Sequence, residues 1–346
     1  HPVAHSFPTR RSSDLELLDY SSRSILSKIL YTKCKYRARR SPCQSVILPL
    51  TAVSYCVTNI VYKILDAKMK FGVSPAYMIS LWGEAFTAEQ QIESLPGIVD
   101  LGFRAFQPEV YLPERLGPWI SDGASRVGEA AERTGLTASQ LVGHFLLHGF
   151  ETEEALYSDS GIEEAGKFAE TAALLPGCEV VTLPLPAFVP GPTPETNALR
   201  GRLREKLAAV AAAVGESGVK LALELLPYSL VGGTEALRAA MEELPETVGY
   251  NFDTGHAWAC KERIELIPGR MGSRLLGTHL CDNESYENRS DRPGVGTIHW
   301  AAVLAALERS GYTGSLDLEI RCAPELVASE YRQGLQLLES HLHVAR

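Results

Sequence analysis

From Met69 onward the sequence alternates short apolar, β-rich runs with longer stretches of helical periodicity, and this rhythm constrains the fold more than any other feature. Alternation of this kind marks strand–helix units around a parallel sheet, because each parallel strand needs a long crossover to bring the chain back. Strands are expected over residues 70–74, 103–107, 140–145, 179–183, 220–225, 248–253, 275–281 and 315–320. Helices are expected between them, including 124–133, 162–174, 197–216, 234–244, 300–310 and 329–342. In RLREKLAAVAAAVGESG the apolar positions recur at helical spacing, Gly218 then stops the helix, and VKLALEL opens a strand. Eight such units in about 275 residues match a closed (βα)8 TIM barrel. An open doubly wound sheet is the alternative, but no Gly-x-Gly-x-x-Gly follows the first strand.

Residues 1–68 read differently. They show no sustained periodicity, and they carry 11 Lys/Arg against 4 Asp/Glu, whereas residues 69–346 carry 22 against 38. An apolar stretch at 45–62 follows the Arg37, Arg39, Arg40 cluster, but Pro49, Asn59 and several hydroxyl residues dilute it as a membrane anchor. The opening HPVAHSFPTRRSSDL resembles translated adapter sequence, and Met69 resembles a natural start. Residues 1–68 are therefore expected to be a non-domain leader, artefactual or disordered, and residues 69–346 a single barrel. The acidic balance after residue 69 repels a phosphate backbone, so nucleic acid is not an expected partner. Seven cysteines without Cys-x-x-Cys or zinc-ribbon spacing suit reduced thiols in a cytoplasmic protein, with no membrane partner expected.

Four consecutive strands end in a polar residue: KLALELLP presents Glu224, VGYNFDTGHAW presents Asp253 and then His256, LLGTHLCDN presents His279, and SLDLEIR presents Glu319. Chemistry in such barrels gathers at the C-terminal strand ends. One carboxylate there could pair with an arginine, and one histidine could be a hydrogen-bonded core residue. Several carboxylates converging on one buried spot would repel each other and lose hydration. A divalent cation resolves both problems. Three carboxylates and one imidazole favour Mn2+, with Mg2+ or Co2+ as alternatives, over a structural zinc.

At ALEL around Glu224, FDTGH at 252–256, THLCDN around His279, RPGVGTIHW at 292–300 and DLEI at Glu319, the sequence resembles the sugar phosphate isomerase/epimerase family of xylose-isomerase-like TIM barrels. The resemblance covers residues 69–346 and is specific for the superfamily rather than for a substrate. It implies a metal-dependent isomerase or epimerase of a small sugar, polyol or related hydroxycarbonyl compound, active in carbohydrate metabolism. Glu224 and Glu319 would bind the metal and exchange protons with the substrate through an enediolate, and His256 would contact substrate oxygens. Many relatives associate, so a homo-oligomer is compatible. Weaker candidates for substrate binding are Trp258 as an apolar wall, Arg292 as a hydroxyl, carboxylate or phosphate contact, Glu109 just beyond strand two, and His144 at the end of strand three, a substrate contact or a relic ligand. His299 reads as a helix-start residue. An inosose-type dehydratase on the same residues is the competing enzyme class, followed by a non-catalytic sugar-binding barrel. An apurinic endonuclease-like hydrolase needs further histidines, where this chain has Asp291-Arg292-Pro293 and Leu183-Pro184-Leu185-Pro186.

Overall fold

A computed structural model describes residues 69–189 and 196–344. The leader expected over 1–68 lies outside the described residues. Among those described, eight parallel strands close on themselves. They are β1 (Phe71–Val73), β2 (Ala105–Phe106 and Glu109–Val110), β3 (Thr137–Ala138 and Leu141–Gly143), β4 (Val180–Leu185), β5 (Lys220–Leu225), β6 (Val248–Asp253), β7 (Leu275–His279) and β8 (Leu316–Leu318). Each pairs with its successor, and β8 pairs with β1 in the register Gly72 to Asp317. The β7–β8 seam is short: a bridge joins Leu280 to Leu318, and the Leu280 amide donates to the Asp317 carbonyl at 2.8 Å. The chain is a TIM barrel, as its rhythm implies.

Two strands depart from expectation. β2 breaks at Gln107-Pro108 and resumes, so Glu109 belongs to the strand rather than lying beyond it. Proline has no N–H for a ladder, and a break is the usual solution. β3 starts earlier than expected, breaks at Ser139-Gln140, and ends at Gly143, with His144 opening a 3-10 turn (His144–Gly149). The helix Ala88–Asp100 adds to those expected, and its start was legible: Thr87 and Gln90 form a reciprocal capping box.

The helices form the outer layer and bury one apolar face each. Trp300–Ser310 illustrates this, turning Trp300, Val303, Leu304 and Leu307 inward and ending at left-handed Gly311. His299 stands at its N-cap, as expected. Lys206 in the helix Thr196–Gly215 is buried, and its Nζ donates to the carbonyls of Gly149 and Ala155 at 2.7 and 2.6 Å. That tie fastens the loop after β3, which begins with His144.

The inside of the barrel is polar where aliphatic layers are usual. Gln140 donates to Asn251 Oδ1 at 2.9 Å and accepts from Thr182 Oγ1 at 2.5 Å, joining β3, β6 and β4. Gly277 in β7 makes the room: a Cβ there would lie 2.3 Å from the Gln140 amide. Gln140 cannot swing aside without orphaning two buried groups. Gly277→Ala is therefore expected to lower the unfolding free energy by about 1–3 kcal/mol, read by urea denaturation.

Candidate metal centre

The C-terminal ends of β5, β6, β7 and β8 deliver Glu224, Asp253, His279 and Glu319 to one point. One ligand atom from each lies within 4.8 Å of all the others, and three of the four residues are buried. Ligands about 2.0–2.2 Å from a single ion are separated by no more than about 4.4 Å, so small adjustments bring this set onto one cation. The strands place them because each residue ends an apolar run whose alternate side chains already face the barrel axis.

His279 is the centre of the arrangement. Its Nδ1 is 2.7 Å from Glu224 Oε1 and 2.8 Å from Glu319 Oε2, and its Nε2 is 2.7 Å from Gln107 Oε1. The orientation of Gln107 is settled by its other end, since Gln107 Nε2 donates to Asp317 Oδ2 at 2.8 Å. Asp317 in turn accepts from Ser139 and Ser315 at 2.9 and 2.6 Å. Gln107 must then present its carbonyl to His279, and His279 Nε2 must carry the proton. The Nδ1 lone pair is left facing two carboxylate oxygens. Three acceptors at that separation require a positive charge among them, either a proton on Nδ1 or a cation.

The electrostatics agree. Burial opposes charge on His279, yet Glu224 and Glu319 raise its imidazole well above the ordinary histidine range. Burial would also raise Glu319, but His279 beside it holds that carboxyl down to about 2. Asp253 has weaker support, and burial pushes it up to about 7. Asp253 Oδ1 caps the following helix by accepting from the His256 amide at 2.7 Å, while Oδ2 is buried without a hydrogen-bond partner. An orphaned carboxylate oxygen beside three other donors is what a cation would satisfy.

Above this floor opens a cavity of about 320 Å³, within the size range of small-ligand sites. His256 lines it and is oriented by Asn288, whose Nδ2 is 2.9 Å from His256 Nδ1. Because Asn288 Oδ1 accepts from the Ser290 amide, its Nδ2 faces the ring as a donor, and neutral His256 carries its proton on Nε2. Glu109 and His144 also line the cavity, as the sequence suggested, with Tyr111 stacked on His144 at 3.8 Å between ring centres.

Two expected contacts are corrected. Trp258 is not on the cavity wall; its indole N–H donates to Thr297 at 3.0 Å and its ring packs partly against the core. Arg292 points to the C-terminal helix, where Nε is 3.0 Å from Glu330, and does not line the cavity either. Arg289 and Arg321 line it instead. Arg321 was findable, standing two residues beyond Glu319 and so on the same side of an extended strand end. Gln107, Asn288 and Asp317 carried no signal of their own.

Residues 97–341 match the family of xylose isomerase-like TIM barrels. A curated relative, the uncharacterized protein MJ1311 of Methanocaldococcus jannaschii, is 26% identical over 133 residues, which span 37% of this chain and 44% of that protein. Solved structures share the fold. A D-tagatose 3-epimerase-like protein superimposes with a TM-score of 0.62 at 21% identity, over 80% of this chain and 98% of its own. The 3-keto-D-glucoside 4-epimerase YcjR from E. coli gives 0.61 at 20%, over 79% and 100%. The IOLI protein, solved with a binding zinc atom, gives 0.62 at 20%, over 79% and 96%.

Replacing Gln107 by leucine would strip partners from buried His279 Nε2 and Asp317 together. Gln107→Leu is expected to cost about 1–3 kcal/mol of stability, chiefly from the orphaned His279 Nε2–H because Asp317 keeps its two serine donors, read by urea denaturation in the presence of a chelator.

Proposed function

The chain belongs to the family of xylose isomerase-like TIM barrels, and from that premise we propose that it is a divalent-metal-dependent isomerase or epimerase of a small sugar or related hydroxycarbonyl compound. The observation that carries this reading is the convergence of two carboxylates on Nδ1 of His279, beside an orphaned Asp253 oxygen, at the floor of an open cavity. The epimerase names of the structural neighbours support it. Glu224, Asp253, His279 and Glu319 would hold the ion, for which manganese is our assignment because oxygen donors dominate the set. When bound, the cation supplies Lewis-acid charge that lowers the cost of an enediolate.

The remaining chemistry belongs to the side chains. Glu224 and Glu319 come from β5 and β8, three strands apart around the barrel, and so approach a substrate carbon from different directions. One removes the proton next to the carbonyl and the other returns it. His256, with Nε2–H directed by Asn288, donates a hydrogen bond to the oxygen on which charge develops.

The test uses the full-length chain. Saturating Mn2+, at about 100 times its Kd, is expected to stabilise the protein by about 2.7 kcal/mol. With Mn2+ and a panel of ketoses in D2O, the protein is expected to exchange substrate C–H for C–D, and Glu224→Gln and Glu319→Gln are each expected to slow exchange by about 10²- to 10⁴-fold. Exchange that survives both substitutions at full rate would overturn the proposal. Loss of water from inososes in place of exchange would assign the chain to the dehydratases.

A further inference from the structure

Glu109 is a charged side chain the mechanism above does not use. It is only 3% exposed, and it lines the same cavity as the four convergent residues. Its backbone is pinned on both sides by Gln91, which donates to the Glu109 carbonyl at 3.0 Å and accepts from its amide at 3.3 Å. The side chain is less well provided for. Oε1 lies 3.6 Å from His144 Nδ1, beyond a good hydrogen bond, and Oε2 is buried with no partner. His144 lines the cavity as well, with its ring plane fixed by the stack on Tyr111. An acceptor and an imidazole therefore stand together, held rigidly and incompletely satisfied, on the β2–β3 side of the cavity. A buried polar atom left in that state is stabilised by a donor that enters from the cavity.

The surrounding charge narrows what enters. Among the described residues lining the cavity, both guanidinium groups already have carboxylate partners: Arg321 Nη2 is 3.1 Å from Glu84, and Arg289 Nε is 3.4 Å from Asp291. Both pairs are partly exposed, so they weaken, without cancelling, the positive charge offered to an anionic tail. Glu109, the acidic lining residue outside the four-residue cluster, repels one at its end of the cavity.

We infer that Glu109 and His144 form a recognition pair for adjacent hydroxyls at the non-reacting end of the substrate, and that they select a neutral polyhydroxylated compound over its phosphate ester. A hydroxyl donates to Glu109 Oε2 and its neighbour bonds the His144 ring, whereas a phosphate has no hydrogen to offer the carboxylate and meets like charge. Polar groups left unpaired by a wrong ligand discriminate far more strongly than apolar walls do. This inference deepens the isomerase/epimerase reading and rests on it for the placement of the reacting end.

Binding tests the pair separately from turnover. With the Mg2+-loaded full-length chain, saturation-transfer NMR would measure affinity for D-fructose, D-psicose, D-tagatose and D-sorbose, and for the 6-phosphates of fructose and tagatose. At least one free ketohexose is expected to bind tenfold or more tightly than either phosphate. Glu109→Ala and His144→Ala are each expected to weaken that binding at least tenfold while leaving Mg2+ affinity unchanged, Glu109→Asp to restore part of it, and isosteric Glu109→Gln to narrow the preference against phosphate. Should Glu109→Ala fail to fold, Glu109→Gln carries the comparison alone. Phosphates binding as tightly as free sugars, free-sugar binding indifferent to Glu109, or no binding by any free ketohexose would each overturn the inference. The two readings fail separately: C–H exchange that persists while Glu109 variants bind normally leaves the enzyme proposal standing. Exchange indifferent to Glu224 and Glu319 removes the enzyme proposal even where Glu109 governs binding.

Discussion

An imidazole nitrogen held between two carboxylates is the interaction around which this barrel is organised. His279 Nε2–H is already donated to Gln107, so relief has to come at Nδ1, from a second proton or from a cation. Positive charge must be supplied at Nδ1 for Glu224 and Glu319 to remain where they are, and Asp253 adds a fourth donor with one oxygen unsatisfied. Burial amplifies every term, since charges in a low-dielectric interior attract and repel far more strongly than in water. An arrangement that calls for positive charge at one point suits a cation, and demands of this sort are commonly concentrated at functional sites.

Support for that centre extends downward and upward. Below it, the barrel interior gives up aliphatic packing for hydrogen bonds, with Gln107, Ser139 and Asp317 in one network and Gln140, Thr182 and Asn251 in another, five strands being joined between them. Burial still pushes Asp317 up to about 6, despite three hydrogen-bond donors. Above it, Asp282 orders the loop after β7 by accepting from the amides of Gly294 and Ile298 and from the Trp300 indole. That loop brings Asn288 to His256 and Ser290 to Glu319. Rigid support on both sides lets the cavity keep its polar atoms exposed to a ligand rather than to each other.

The four convergent residues were legible because each interrupts an apolar run at the end of a strand, where a charged side chain has no ordinary reason to be. The helices and most strands were legible from period alone. Less so were β2 and β3, because Pro108 and the Ser139-Gln140 pair split them, and a two-residue strand piece leaves almost no periodic signal. Trp258 and Arg292 show the limit of proximity in sequence. Both lie within a few residues of motif positions, yet one turns to Thr297 and the other to Glu330. Nothing local distinguishes a side chain pointing into the cavity from one pointing across it.

Local periodicity, together with polar residues at the ends of apolar runs, was enough by itself to specify a parallel barrel and to mark Glu224, Asp253, His279 and Glu319 as a candidate cluster. Such signals are encoded in neighbours a few residues apart, so a linear reading recovers them. Which nitrogen of His279 faces the carboxylates, which way His256 presents its proton, and what Glu109 lacks were decided by tertiary structure alone. These depend on hydrogen bonds between residues far apart in the chain, 172 positions for His279 and Gln107 and 210 for Gln107 and Asp317. Only closure of the barrel brings such partners within 3 Å, and an amide or carboxylate in isolation gives no sign of which partner it will meet.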